Sequence, residues 1–232
     1  MSVLESAKPP PLLSIDNLCK TYIRGDDQVT ALINITFELE QGCFASLAGP
    51  SGSGKSSLLN IIGTLDTPDQ GSVYLLGQPI TYTDTSFTEQ LRRTKLGFVF
   101  QNFNLLPLLT AVENVELPLL LTDLTAARRR EKACTCLELV GLGDRLHHFP
   151  RQLSGGQQQR VAVARALVRD PKLVLADEPT ANLDGKTAEN LLELMRSLNK
   201  KSGVGFLFST HDPRILNAAK KIIFLHDGRM QL

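Results

Sequence analysis

The stretch Gly49-Pro50-Ser51-Gly52-Ser53-Gly54-Lys55-Ser56 fits G-x-x-x-x-G-K-S, a spacing suited to phosphate. Glycines let successive backbone N–H groups turn toward phosphate oxygens, and a helix N-terminus behind them adds partial positive charge. Lys55 is placed to reach the β and γ phosphates, and the Ser56 hydroxyl to ligate magnesium. Further on, LVLADEP sets Asp177 and Glu178 after an apolar strand. Asp177 suits the metal, held through water, as the acidic partner such sites require. Glu178 suits a base that orients or deprotonates a water attacking the γ-phosphate. A third pattern, LSGGQQQR from Leu153 to Arg160, opens a helix, with Ser154 and Gln157 as a capping box. The Ser154 hydroxyl, the amides of Gly155 and Gly156 and the helix dipole also form an anion-binding surface. Two phosphate cradles about a hundred residues apart invite a site shared by two chains.

These groups need elements to hold them. Apolar runs at 14 to 18, 31 to 39, 43 to 49, 73 to 76 and 96 to 100 read as strands, with a helix from Lys55. From about 102 to 152 only helical segments are expected. Thr110 with Glu113 is a capping box, and Thr125 precedes a helix that stops at Gly141. Strands at 173 to 176, 205 to 209 and 221 to 225 then alternate with helices near 156 to 169 and 186 to 201, and Asp227-Gly228 is a closing turn. Buried-looking strands separated by helices predict an α/β fold with a mainly parallel sheet. The early strands predict a small antiparallel subdomain, and the block at 102–152 an inserted α-helical subdomain. Residues 1–13, with prolines at 9 to 11, read as an extended lead-in to one domain over 14–232.

Composition closes off other classes. With 42% apolar and 21% charged residues, the chain of 232 residues can bury a core and is neither disordered nor low in complexity. Lys and Arg total 25 against 24 Asp and Glu. That balance lacks the basic footprint of a nucleic-acid binder, so no nucleic-acid partner is expected. The Arg92-Arg93 and Arg128–Arg130 clusters read as solvated helix faces. Cys19, Cys43, Cys134 and Cys136 have no metal spacing and read as packing thiols in a reducing compartment. The most apolar stretch, 104 to 121, is interrupted by Pro107, Glu113, Glu116 and Pro118, so no spanning helix is expected. The N-terminal residues lack the order of a secretory signal.

The P-loop, the LSGGQ-type signature and LADEP, in that order, resemble the nucleotide-binding domain of an ABC transporter from about Ser14 to the C-terminus. The resemblance implies a P-loop NTPase core and an ATPase using ATP and Mg2+, with Gly49 to Ser57 on the nucleotide. Gln101, after LGFVF, resembles the glutamine that contacts the metal and couples to the membrane domain. Asn182-Leu183-Asp184 resembles the D-loop at the dimer interface, and His211 in FLFSTHD the switch histidine on the γ-phosphate. Tyr22, in LCKTY, resembles the aromatic that stacks on adenine. The family's pattern further implies a homodimer in which Ser154, Gly155, Gly156 and Gln157 bind the partner's ATP. It implies a separate transmembrane permease subunit, and hence a cytoplasmic chain peripheral on the inner face of the cell membrane. Ser57 and Ala181 depart from commoner residues without removing a reactive group. TLDTPDQGSV, the stretch from Leu96 to Leu120 and STHDPRIL look most like the lipoprotein-release and macrolide-export ATPases; a cell-division ATPase that docks and signals without transport is similar in the same stretches. Residues 102–121, including Leu105 and Leu108, are expected to form a groove for a cytoplasmic helix of the membrane subunit.

Overall fold

The computed structural model describes residues 9–25 and 27–231. β1 (Leu13–Arg24) and β2 (Asp27–Leu39) form a long antiparallel pair, and β3 (Phe44–Ala48) leads into α1 (Lys55–Ile62). β4 (Gln70–Leu75), β5 (Gln78–Pro79), α2 (Thr85–Thr94) and β6 (Leu96–Val99) follow. The middle of the chain holds α3 (Ala111–Glu116), a 3-10 turn at Leu117–Leu121 and α4 (Ala126–Leu139). α5 (Gly155–Leu167), β7 (Leu173–Asp177), α6 (Gly185–Ser202), β8 (Gly205–Ser209), α7 (Pro213–Ala218), β9 (Lys221–His226) and β10 (Arg229–Gln231) complete it.

Two sheets result, in the orders β2-β1-β4-β5 and β10-β9-β3-β8-β7-β6. The first is antiparallel; the second is parallel except for the β9–β10 hairpin. Alternation along the central strands divides the core in two. Phe44, Val174, Phe206 and Phe208 point to the side of α3 to α6, while Ala45, Leu47, Leu175 and Leu207 point to α1 and the antiparallel sheet. Phe44 lies 4.8 Å from Phe208 and 5.8 Å from Phe206. Each such fully buried ring contributes about 1.5–3 kcal/mol, so the strands that carry the site are anchored on both faces.

The lead-in is shorter than 1–13 at its inner end. Leu12 and Leu13 are buried in the core, because β1 pairs Leu13 with Leu39 and Leu75. Residues 1–8, and with them most of the segment tested for a signal, lie outside the described residues. The basic clusters meet the expectation in part. Arg93, Arg128 and Arg130 are exposed, as on a solvated helix face, with Arg128 paired to Glu131 at 2.8 Å within its own helix. Arg92 and Arg129 are half-buried. Arg92 donates to the Thr64 carbonyl at 2.6 Å, Arg93 to the Leu121 carbonyl, and Arg129 and Arg130 flank Glu116. These four tie elements together because long guanidinium forks reach carbonyls or a carboxylate on a neighbouring element.

Asn114, fully buried, orders the loop before α3. Its amide donates to the carbonyls of Leu106, Leu109 and Thr110, and its oxygen accepts from Leu106 N–H. Leu105 packs against the core, while Leu108 is 87% exposed. All four cysteines are free. Burial pushes the Cys43 and Cys136 thiols up to about 11, so both are thiols rather than thiolates near neutral pH.

Candidate functional site

The turn between β3 and α1 is possible only with glycine at two points. A side chain on Gly49 (φ +143°) would meet the Leu225 carbonyl at 2.0 Å, and one on Gly54 (φ +101°) the Ala31 carbonyl at 2.4 Å. Side chains cap α2 (Asp84), α3 (Thr110), α4 (Thr125), α5 (Ser154), α6 (Asp184) and α7 (Asp212). α1 has no side-chain cap and no acidic residue in its first turn. Its first N–H groups and positive dipole end are therefore unopposed by any capping or acidic side chain of the helix, an arrangement suited to an anion. The Lys55 ammonium donates to the Gly49 and Pro50 carbonyls, each at 2.8 Å. Three N–H bonds on the ammonium leave one for a ligand. Ser53 Oγ is buried without a hydrogen-bond partner among the described residues.

An open cleft of about 850 Å³ lies over this turn. Its walls are Tyr22, Val29, Thr30 and Ala31 on one side and Gln101, Glu178, Ala181, Ser209 and His211 on the other, with Pro50, Ser51, Gly52, Gly54, Lys55, Ser56 and Ser57 as floor. Gln101 follows β6, Asp177 and Glu178 end and follow β7, and His211 follows β8. The carboxyl edge of a parallel sheet is where ligands bind in open α/β folds. Ser56 Oγ donates to Asp177 Oδ1 at 3.3 Å, joining the two oxygen donors singled out for a metal.

Glu178 is held in the left-handed region at φ +44°, a costly conformation for a long side chain. Its N–H is tied to the Ser209 carbonyl at 2.9 Å. Its carboxylate accepts from Thr210 Oγ1 at 3.2 Å and lies 2.8 Å from His211 Nδ1. The histidine is exposed and the glutamate largely buried. Behind them, Asp212 accepts from Thr180 Oγ1 and from the Arg214 guanidinium. Burial works to raise the Asp212 pKa, but the bonds from Arg214 and Thr180 outweigh it and hold it at about 2. Arg214 also donates to the Gly185 carbonyl at 2.9 Å, so one side chain links the His211 segment to the start of α6.

Tyr22 is fixed from behind. Its hydroxyl donates to Asp66 Oδ2 at 2.7 Å, and Lys20 Nζ sits 5.1 Å from the ring centroid while pairing with Asp66 and Asp69. Burial works to raise the Asp66 pKa, but hydrogen bonds from Tyr22, Thr67 N–H and Lys20 prevail and lower it. If the ring stacks on a base, Tyr22→Ala should weaken nucleotide binding by roughly 1–3 kcal/mol. Tyr22→Phe, which keeps the ring and loses only the hydroxyl's bonds with Asp66 and Ser57, should retain most of the affinity. Titration of both variants with a fluorescent adenine nucleotide checks this; equal affinity of parent and alanine variant would return Tyr22 to packing.

The structure does not bring every candidate to one place. Ser154, Gly155, Gly156 and Gln157 are absent from the cleft walls. Ser154 Oγ accepts from Gln157 N–H at 3.3 Å, and Gln157 Oε1 accepts from Ser154 N–H at 2.9 Å. The serine proton is thus left to donate elsewhere. A side chain on Gly156 would strike Thr187 at 2.2 Å, so α5 packs against the start of α6. Asp184 caps α6 there, and hydrogen bonds from Thr187 lower its pKa. Residues not singled out from the sequence include Asp66, Arg214 and Gln159. The fully buried Gln159 donates to the Pro179 carbonyl at 2.8 Å and the Phe100 carbonyl at 3.4 Å, tying α5 to the segments carrying Glu178 and Gln101. No short-range signal separates Gln159 from its neighbours in QQQ; only its burial does.

A family model described as ABC transporter matches residues 32–181. The chain belongs to the ABC transporter family. It is 46% identical over 224 residues to the ABC transporter ATP-binding protein MJ0796 of Methanocaldococcus jannaschii, with 95% of each chain covered. A dimeric structure of that cassette, described as a post-hydrolysis state bound to ADP and Pi, superposes with a TM-score of 0.87 at 45% identity. The overlap covers 95% of this chain and 97% of that one. The macrolide export ATP-binding/permease protein MacB of Hyphomonas neptunium is 45% identical over 221 residues, which is 95% of this chain and 34% of that protein. As an ABC cassette the chain binds and hydrolyses ATP, and its relatives are consistent with a resemblance to the lipoprotein-release and macrolide-export ATPases.

Proposed function

We propose that two copies of this ABC ATPase enclose two MgATP, each lying on the P-loop of one copy and under the signature of the other. The observation that carries it is the separation of two anion-ready helix ends. The uncapped N-terminus of α1 floors the cleft, while Ser154 at the N-terminus of α5 is not among its walls. A signature outside its own chain's cleft acts on phosphate only by facing another chain's cleft. The dimeric state of the related cassette supports this reading.

Within each cleft the P-loop amides and Lys55 hold the β and γ phosphates, and Tyr22 orients adenine. Ser56, Asp177 and Gln101 fit magnesium. Ser56 and Asp177 already converge as hard oxygen donors, and this ion takes few protein ligands because it keeps waters and substrate phosphates. Bound there, magnesium neutralises charge on the transferred phosphoryl group. Glu178, its carboxylate aimed by Thr210 and His211, takes a proton from the attacking water. With Nδ1–H donated to Glu178, His211 reaches a phosphate oxygen through Nε2 only when the ring carries a second proton.

Closure on ATP and opening after hydrolysis drive a separate membrane subunit, in export or extraction of lipoprotein, peptide or drug cargo. The branch and its export relative favour this over docking without transport. Among the described residues no helix is long and apolar enough to cross a membrane; the chain works as a cytoplasmic subunit peripheral to the membrane through its partner. The loop braced by Asn114 carries the docking surface, with Leu106, Leu108, Leu120 and Leu121 exposed. Leu108→Asp should leave the ATPase rate of the isolated chain near the parent's and abolish co-purification with the membrane subunit in detergent. Leu105→Asp should instead lower the melting temperature, because Leu105 packs on the core. Intact co-purification of the Leu108 variant would refute docking at this loop.

A further inference from the structure

Ser209 ends β8, side by side with Asp177 in the parallel register. Alternation puts its side chain on the face of Leu207 and Leu175, the side of α1 and its phosphate-facing turn. The residue also forms part of the cleft wall. It is 0% exposed, and its hydroxyl has no hydrogen-bond partner among the described residues. Its neighbours are engaged with one another: Ser56 Oγ with Asp177, Thr210 Oγ1 with Glu178, and Lys55 with the P-loop carbonyls. Packing gives no reason for a hydroxyl here, since an alanine fills the same backbone position without burying an unpaired polar group.

We propose that Ser209 Oγ hydrogen-bonds an oxygen that MgATP brings to the Asp177 side of the cleft, either a magnesium-bound water or a phosphate oxygen. The inference rests on the MgATP reading of this cleft. It makes Ser209 a ligand-contacting residue, set beside the metal-side carboxylate by strand register alone.

The test compares the parent, Ser209→Ala and Lys55→Ala by melting temperature without nucleotide. A non-hydrolysable ATP analogue is then titrated with each, once with magnesium and once with chelator. Without nucleotide, Ser209→Ala should melt at or above the parent, because the unpaired hydroxyl is gone. With magnesium its Kd should rise about tenfold or more, as for the loss of a hydrogen bond to a charged group. A defect only with magnesium identifies the metal-bound water, and an equal defect in chelator identifies a phosphate oxygen. An unchanged Kd in both arms, while Lys55→Ala binds poorly, would overturn the role of Ser209 and leave the cleft reading standing. Parent-like binding by Lys55→Ala as well would overturn the cleft reading. A lowered melting temperature of nucleotide-free Ser209→Ala would show the hydroxyl to be structural and likewise overturn the proposal.

Discussion

Glu178→Gln should retain ATP and lose turnover by about a hundredfold or more, the scale of a missing general base. The amide keeps the size of the carboxylate, and its oxygen still accepts from Thr210 or His211, so the strained turn at φ +44° should persist. What disappears is a basic oxygen able to take a proton from water. Because opening follows hydrolysis, the variant should accumulate as a closed dimer in MgATP, visible by size-exclusion chromatography and as retained nucleotide. Hydrolysis within a few-fold of the parent would remove Glu178 from the chemistry. It would then read as a brace for the Thr210–His211 segment.

Mixing Lys55→Ala with Ser154→Arg should restore ATP trapping that neither variant shows alone. Lys55 sits in the cleft floor; Ser154 opens α5 beyond its walls. In a shared site, a mixed dimer has one site carrying both defects and one carrying neither. With Glu178→Gln added to both chains, about one ATP per mixed dimer should be trapped, since each composite site needs both cradles. Trapped nucleotide is counted after gel filtration, and each variant's fold is checked by its melting temperature. Were a single chain to supply both groups, no mixture would gain a working site. Absence of trapping with both variants folded would therefore exclude the two-chain arrangement.

Much of the site is legible in the sequence because its parts are local. A P-loop is a turn, a helix start and a lysine within eight residues, so its chemistry is written in consecutive positions. The capping pairs Thr110–Glu113 and Ser154–Gln157 are equally local, and both form as read. Some elements escaped. α2, carried by TSFTEQLRRT, buries only Thr88 and Leu91, too few apolar positions to show a helical period. α7 is a short helix behind Pro213, and β5 is two residues held by β4.

The sequence by itself determined the α/β class, the carboxyl edge on which Gln101, Asp177, Glu178 and His211 would stand, and the glycine-rich turn before α1 from which a phosphate role is proposed for Lys55 and Ser56. Residue type and spacing along the chain suffice for each. Only the tertiary structure decided which side chains meet: Glu178 with His211 across 33 positions, Tyr22 with Asp66 across 44, and Ser56 with Asp177 across 121. It decided also that Leu105 packs on the core while Leu108 is surface, and that Ser209 carries a hydroxyl at the cleft with no partner among the described residues. Such facts depend on strand register and on what each element is packed against. A one-residue shift in β8 would turn Ser209 and Leu207 to the opposite face, and no local pattern in GFLFS records which register is taken.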